Sequence, residues 1–451
     1  FVPMLADYKQ NKSDEETRLF VQHVAGMLTF ALFIITAVGV FAAPVVIWAT
    51  ASGFAQDGTR FEIAVKLLPI IFPYILLISL SSFVGSILNT YNKFSIPAFT
   101  PVLLNVSFIV FALFFTPFFT PPIMAMGWAV LVGGLLQLGF QLPWLYRLGF
   151  FRLPKLRFGD AAVSRVMKQM LPSIVGSSVA QISLVINTTF ASYLAVGSVS
   201  WLYYSDRLLE FPLGLFGIAI STVILPTLAR QHVNRADPSE KSSQDFRNTM
   251  DWGVRMILLL GVPAMIGIAI LAQPMLLVLF MRGEFLLADV KAASLSLWGF
   301  NAGLISFMLI KILANGYYAR QDTKTPVKIG IIAMVSNMGF NLLAIPFSYV
   351  GLAIASAMSA TLNAYLLYRG LVKSDVYRFS KESAIFFLKI LGAAALMGLL
   401  VWHNSPPILE WSAMSFSGRV YWLVWLIGLA VISYVGMLIV LGVRKQHLLA
   451  R

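Results

Sequence analysis

Long apolar runs separated by short polar segments dominate this chain, and they predict membrane-spanning helices. A hydrocarbon core about 30 Å thick needs roughly 20 apolar residues per helix. Twelve such runs occur, with predicted bounds at 21–50, 67–89, 99–116, 124–146, 169–193, 203–228, 252–281, 292–318, 329–345, 351–368, 383–402 and 420–443. The pattern predicts an all-α, polytopic membrane protein.

Composition supports this fold class and excludes several kinds of functional site. Hydrophobic residues make up 59% of the 451 residues and charged residues only 12%, about half the charge density of a soluble domain. The absence of cysteine excludes disulfides, thiolate metal sites and a cysteine nucleophile. The four histidines are scattered along the chain, so we expect no metal site and no cofactor.

Basic residues are distributed unevenly over alternating loops, which predicts the orientation of the chain. One set of loops carries 24 of the 33 Lys and Arg residues and the opposite set carries five. Because cytoplasmic loops retain the basic residues, both ends of this chain are expected on the cytoplasmic side. The first set comprises 1–20, 90–98, 147–168, 229–250, 319–328, 369–382 and 444–451. The net charge of +14 therefore reflects topology, and we expect no nucleic-acid partner.

An internal repeat predicts two halves. Residues 87–105 and 312–337 each end a span with Ile-Leu, cross a short basic loop and restart at a proline. Both copies have the same orientation, as in transporters with parallel repeats. We predict an N-terminal lobe at 1–146, a basic linker at 147–168, a C-terminal lobe at 169–370 and an appended helix pair at 383–443. The polar start, without an initiating Met, predicts further sequence upstream.

The strongest candidate site lies at the start of the span 203–228, where Asp206, Arg207 and Glu210 bring charge into an apolar segment. Such a charge costs roughly 2.5–3.5 kcal/mol on insertion scales, so it should face a cavity or a partner. The planar guanidinium of arginine suits phosphate or pyrophosphate. The alternative is that Arg207 and Glu210, three residues apart on one helix face, form only a structural pair.

Five polar residues within other spans are weaker candidates. Lys311 either reaches the headgroups or adds positive potential to a central cavity. Gln181 and Asn187 belong to the polar span 169–193, where small polar residues either join helices or line a wet stripe. Asn337 and Asn341 form an i, i+4 pair whose oxygens suit a cation, but no intramembrane carboxylate accompanies them.

No catalytic motif occurs, and four stretches resemble one family. The chain has no P-loop, no HExxH and no paired intramembrane carboxylates, which leaves transport or binding. The stretches FVPMLADYK at the start, 72–105, 181–214 and YYARQDTKTPVKI at 317–329 resemble the MurJ (MviN) family of lipid II flippases. This family lies within the multidrug/oligosaccharidyl-lipid/polysaccharide exporter superfamily.

The resemblance implies fourteen helices, arranged as two lobes around a cationic cavity with a final pair forming a groove for a lipid tail. Two helices would then precede Phe1. It implies transport of the lipid-linked peptidoglycan precursor across the bacterial cytoplasmic membrane by alternating access. By position, Arg207 corresponds to an essential cavity arginine and Glu210 to the acidic residue one turn on. The implied partners are lipid II, membrane lipids and a monovalent ion.

Three other functions remain open at this point, and so does a non-transporting scaffold, for which the cavity residues would be dispensable. A drug/cation antiporter of the same superfamily should carry an intramembrane carboxylate for ion coupling, and the only ones in this region, Asp206 and Glu210, flank Arg207. An O-antigen lipid flippase would share the fold. A membrane enzyme of envelope lipid synthesis should cluster acidic residues or histidines at one membrane face, and no such cluster is found.

Overall fold

A computed structural model describes residues 1–157, 159–233 and 240–443. For residues 161, 162, 169, 171–173, 175–177, 179, 180, 233 and 240–243 it describes the backbone alone. The predicted basic segment 444–451 and part of the predicted loop 229–250 lie outside the described residues. Every regular element among the described residues is a helix, which confirms the predicted fold class.

The chain divides into two compact units, Phe1–Ser178 and Val179–Arg451. The first unit contains α1 (Val2–Asn11), α2 (Asp14–Phe41), α3 (Ala43–Thr50), α4 (Gly58–Ile71), α5 (Tyr74–Thr90), α6 (Ser95–Val110) and α7 (Met124–Arg147). Helix α7 packs against α5 and α6, and α2 packs against α5. Helix α8 (Ala161–Ser192) begins in this unit and ends in the next.

The second unit contains the remaining ten helices of the described chain. They are α9 (Ser198–Pro212), α10 (Ala219–Val233), α11 (Glu240–Phe280), α12 (Leu287–Asn301), α13 (Leu304–Tyr318), α14 (Lys324–Ala344), α15 (Ser348–Lys373), α16 (Lys381–Asn404), α17 (Ile408–Ala413) and α18 (Phe416–Val440). A single apolar core runs through this unit, with Ile257, Leu276 and Met308 among its fully buried members. Helix α16 packs against both α11 and α18.

Each predicted span coincides with helical structure, but several helices begin earlier or break within the span. Ten segments of the described residues are long and apolar enough to cross a membrane, and one of them, 324–373, holds both α14 and α15. The predicted span 21–50 is two helices, because Pro44 follows a break at Ala42. The predicted loop 51–66 is largely helical, since α4 begins at Gly58 and carries the Glu62–Lys66 pair one turn apart.

Local sequence explains the positions at which helices begin. Ser13 and Glu16 form a reciprocal capping box at the start of α2, which satisfies two backbone groups that have no partner in the helix. Ser380 caps α16 and Ser415 caps α18 in the same manner, each accepting a hydrogen bond from a backbone N–H three residues on. The polar residues before these spans therefore define where the helices start.

The span that carries the candidate charges changes its helical type midway. Helix α9 continues into a π-helical segment, Leu213–Ile218, before α10 begins. π-Helical turns are rare and often occur at functional positions. This segment packs against α13.

Candidate functional site

Helix α9 is fixed to α12 by polar contacts on its buried face. Trp201 Nε1 donates to Asp289 Oδ1 at 2.8 Å, and Asp289 also caps the start of α12 through the N–H of Leu286. Ser205 Oγ, fully buried, donates to the carbonyl oxygen of Ala293 at 2.7 Å. These bonds set the rotation of α9 and so decide which side chains remain on its exposed face.

The exposed face of α9 carries Arg207 between an aromatic ring and a carboxylate. The guanidinium lies over the ring of Tyr203, 4.9 Å from its centroid, and Nη1 donates to Glu210 Oε2 at 2.6 Å. These partners lie four residues before and three residues after Arg207, so all three side chains share one face. The Arg207 and Glu210 side chains are 52% and 50% exposed.

This arrangement presents a fixed guanidinium on a surface of the second unit. A half-exposed arginine in a membrane-spanning segment is costly against hydrocarbon, so the face carrying Arg207 must contact water, headgroups or a polar ligand. Glu210 accepts from one terminal nitrogen and reduces the net charge. Asp206 is half-buried on the same helix. An anion with two or more acceptor oxygens suits the guanidinium fork.

Lys311 is exposed on α13, the helix against which the π-helical segment packs. Gly217 of that segment lies against Met308, three residues before Lys311. No hydrogen bond or ion pair joins Lys311 to Arg207 within the part of the chain that the structure describes. The two cations therefore belong to neighbouring elements of one unit without direct contact.

Asn187 takes part in a buried amide network that links three helices. Asn341 Nδ2 donates to Asn187 Oδ1 at 2.7 Å and to Asn337 Oδ1 at 3.2 Å, and Asn187 Nδ2 donates to Ser356 Oγ at 3.4 Å. Asn337 and Asn341 are buried. Residues of α8, α14 and α15 are joined in this way, which is the helix-joining role predicted as one alternative for Asn187.

Gln181 is exposed on α8 and does not take part in that network. The sequence does not connect Asn187 with the Asn337–Asn341 pair, because Asn187 and Asn341 are 154 positions apart. Nothing in the sequence around Ser356 predicts its contact with Asn187. The i, i+4 spacing of Asn337 and Asn341 was the only available signal, and it does not identify a partner on another helix.

A second charged cluster joins the core of the second unit to the C-terminal helix pair. Arg255 Nη2 contacts Asp251 Oδ2 at 2.8 Å, with both side chains mostly buried, and Arg255 Nε donates to Ser383 of α16. Asp251 also accepts from the hydroxyls of Tyr377, Ser380 and Ser383. Burial, and then the neighbouring Asp251 carboxylate, raises the pKa of the Tyr377 phenol above its usual value. Tyr377 therefore remains a neutral hydrogen-bond donor.

Comparison with known proteins decides the family. The model of the family described as "Lipid II flippase MurJ" matches residues 1–421. A probable lipid II flippase MurJ from Haemophilus influenzae is 60% identical, over all of this chain and 90% of that protein. The lipid II flippase MurJ of Burkholderia cenocepacia is 38% identical, over 99% of this chain and 87% of that protein. The chain belongs to the MurJ family.

Solved structures agree with this family at the level of the fold. A lipid II flippase MurJ in an inward closed conformation matches with a TM-score of 0.79 at 23% identity, covering 97% of this chain and 86% of that one. An inward-facing multidrug resistance MATE transporter of the MOP superfamily matches with a TM-score of 0.65 at 14% identity, covering 83% and 85%. The predicted family and the predicted all-α membrane fold are confirmed, and this MurJ-family chain is a multi-pass protein of the cytoplasmic membrane. The roles of Arg207, Glu210, Asp206, Lys311, Gln181 and Asn187 stay predictions.

Proposed function

We propose that this chain carries lipid II from the inner to the outer leaflet of the cytoplasmic membrane by alternating access, for cell-wall synthesis. Membership of the MurJ family supports this activity over drug/cation antiport, O-antigen lipid transport or an enzyme of lipid synthesis. The protein acts as a transporter. Because the sequence contains no P-loop, the driving force is the membrane potential or an ion gradient, with a monovalent ion as a coupling partner.

The observation that supports a substrate contact is the geometry around Arg207. Its guanidinium is held over Tyr203 and beside Glu210, on an exposed face of an otherwise apolar span. The pyrophosphate of lipid II offers several acceptor oxygens to this fork. In this proposal Arg207 binds the pyrophosphate, Glu210 and Asp206 moderate the local charge, and Lys311 adds positive potential.

We further propose a role for each predicted lobe and for the C-terminal helix pair. The two lobes, 1–146 and 169–370, alternate access to the substrate, and both ends of the chain lie in the cytoplasm. The helix pair 383–443 forms a groove for the undecaprenyl tail. The packing of α16 on α11 and α18 supports a stable pair.

The test replaces Arg207 in full-length protein produced in cells depleted of their own flippase. Arg207→Ala removes a charge-assisted contact of about 1.5–3 kcal/mol, which is roughly a tenfold or larger loss of substrate binding. We expect loss of growth and of lipid II translocation. Arg207→Lys should recover only part of the activity, because an ammonium lacks the bidentate fork.

Lys389→Ala is the matched control, since it also removes one cation from a membrane helix. Lys389 Nζ extends towards Gly442 at the end of α18, far along the chain from α9. Growth of the Arg207→Ala strain equal to that of wild type would refute the pyrophosphate contact. A defect in Lys389→Ala as severe as that expected for Arg207→Ala would refute the special role of Arg207.

A further inference from the structure

The segment that follows α7 is bound to α2 through its backbone. We call residues 150–157 the strap. Gln22 Nε2 donates to the carbonyl oxygen of Leu153 at 2.6 Å, and the N–H of Lys155 donates to the carbonyl oxygen of Gln22 at 3.3 Å. A Cβ atom at Gly26 would lie 2.2 Å from the carbonyl oxygen of Lys155. The strap therefore crosses α2 in direct backbone contact, which only glycine permits.

Polar side-chain contacts fix the strap near its start and beyond its end. Arg152 binds Glu15 through two hydrogen bonds of 2.7 and 2.9 Å. Beyond the other end, His23 Nδ1 lies 2.9 Å from Asp160 Oδ2. With its backbone engaged along α2 and held at both flanks, the strap cannot rotate its outward side chains towards the core of the first unit.

The outward side chains of the strap are large and apolar, and basic residues surround them. Leu153 is 84% exposed, and Phe151 and Leu156 are also exposed. Arg147, Lys155 and Arg157 are exposed beside them, and Arg147 stacks on Trp144 at 4.7 Å. Apolar side chains among cations are typical of surfaces that bind anionic membranes.

The contact with α2 also sets the depth of the strap. It crosses α2 after the acidic first turn, Asp14–Glu16, and where the apolar run that continues to Phe41 begins. Gln22 lies 19 residues before Phe41, which is about 28 Å along a helix and close to the hydrocarbon thickness of about 30 Å. The strap therefore lies at the boundary between the headgroups and the hydrocarbon.

We propose that the strap docks on the anionic lipid headgroups of the leaflet at this end of the first unit. Phe151, Leu153 and Leu156 enter the acyl boundary, while the exposed Arg147, Lys155 and Arg157 bind lipid phosphates. The charge complementarity and the interfacial depth together select a lipid surface as the partner. This surface is separate from the candidate substrate contact at Arg207, and its role does not depend on the proposed transport function.

The absence of cysteine in the chain permits a clean test. Leu153→Cys, labelled with an environment-sensitive fluorophore, is placed in vesicles of phosphatidylcholine with or without an equal share of phosphatidylglycerol. We expect a blue-shifted emission that lipid-borne quenchers reduce, and both effects should be greater with phosphatidylglycerol. Adding Lys155→Gln and Arg157→Gln should abolish the difference between the two lipid mixtures.

Two controls distinguish lipid binding by the strap from exposure to water and from a general effect of removing positive charge. Asn11→Cys, on an exposed polar position of the same unit, should report water in both vesicles. Lys324→Gln with Lys328→Gln removes the same charge from the first turns of α14 and should leave the Leu153 signal unchanged. Three outcomes would overturn the proposal. The emission of the label at position 153 could match that of the label at position 11, or it could be equal in both lipid mixtures. It could also be blue-shifted but insensitive to lipid-borne quenchers. The last outcome would indicate a protein segment as the occupant.

Discussion

Asn341 shows how a single buried amide joins one membrane helix to another. Its Nδ2 group donates to both Asn187 and Asn337, and the Asn341 side chain is fully buried. A buried acceptor that loses its donor costs about 1–3 kcal/mol. The network therefore stabilises the contact of α14 with α8 through Asn341 and the contact of α8 with α15 through Asn187.

We predict that Asn341→Ala destabilises the second unit by about 1–3 kcal/mol, because it leaves two amide oxygens without their donor. The measurement is a thermal unfolding curve in detergent. Asn404→Ala is the control, since Asn404 is exposed and bonds only to the preceding turn of its own helix. Equal melting temperatures for the two variants would show that the network contributes little.

Contacts between residues were predictable from the sequence only within one helix. The Arg207–Glu210 pair follows from a spacing of three residues, and the structure contains it. The stacking of Tyr203 on Arg207 follows the same periodicity but was not anticipated. The bond between Trp201 and Asp289 joins residues 88 positions apart, and nothing in the local pattern indicates it.

At the scale of elements, the C-terminal helix pair is attached to the second unit by a mostly buried charge cluster as well as by apolar packing. Asp251 and Arg255 come from α11, while Ser380 and Ser383 come from the start of α16. Removing one partner of a buried pair leaves an uncompensated charge. The cluster therefore makes the start of α16 depend on two side chains of α11.

We expect Arg255→Met to weaken this attachment by about 3 kcal/mol, since the Asp251 carboxylate would lose its cation in a poorly solvated position. Amide hydrogen exchange along α16 should increase. Arg378→Met provides the comparison, because Arg378 is exposed and lies 3.9 Å from Asp375. Unchanged protection of α16 in Arg255→Met would mean that apolar packing alone holds the helix.

The sequence predicted which segments form helices better than it predicted their interruptions. Apolar runs identify the spans, because a single segment in hydrocarbon can satisfy its own backbone hydrogen bonds only as a helix. The break at Ala42 has a local signal in Pro44. The π-helical segment Leu213–Ile218 directly follows Pro212, whose missing N–H interrupts the helical hydrogen bonds. The π-helical segment Phe111–Phe115 contains no proline or glycine that would predict it.

At the scale of the whole chain, the distribution of basic residues predicts the topology. Of the 33 Lys and Arg residues, 24 lie in the loops predicted to be cytoplasmic. The all-α membrane fold and the family were both predictable, because hydropathy and sequence motifs extend over most of the chain. The orientation of the ends stays a prediction, which labelling can test directly.

We predict that Gln56→Cys reacts with an impermeant maleimide added to intact cells, whereas Thr323→Cys reacts only after permeabilisation. Both positions are exposed, and the chain has no other cysteine. The reason is that the loop containing Thr323 carries the retained basic residues. The opposite labelling pattern would invert the topology, and equal labelling of both positions in intact cells would invalidate the loop assignment.

The π-helical segment Leu213–Ile218 sets the direction of the Arg207 side chain relative to the side chains of α10. A π-helical turn holds about one residue more than an α-helical turn, and each residue rotates the chain by about 100° around the helix axis. Deleting one residue there would restore a continuous α-helix and turn Arg207 by that angle relative to α10, with the composition of the span almost unchanged. The angle between Arg207 and the side chains of α10 is thus encoded by the length of an apolar segment that contains no charged residue, while the bonds to α12 fix the rotation of α9 itself.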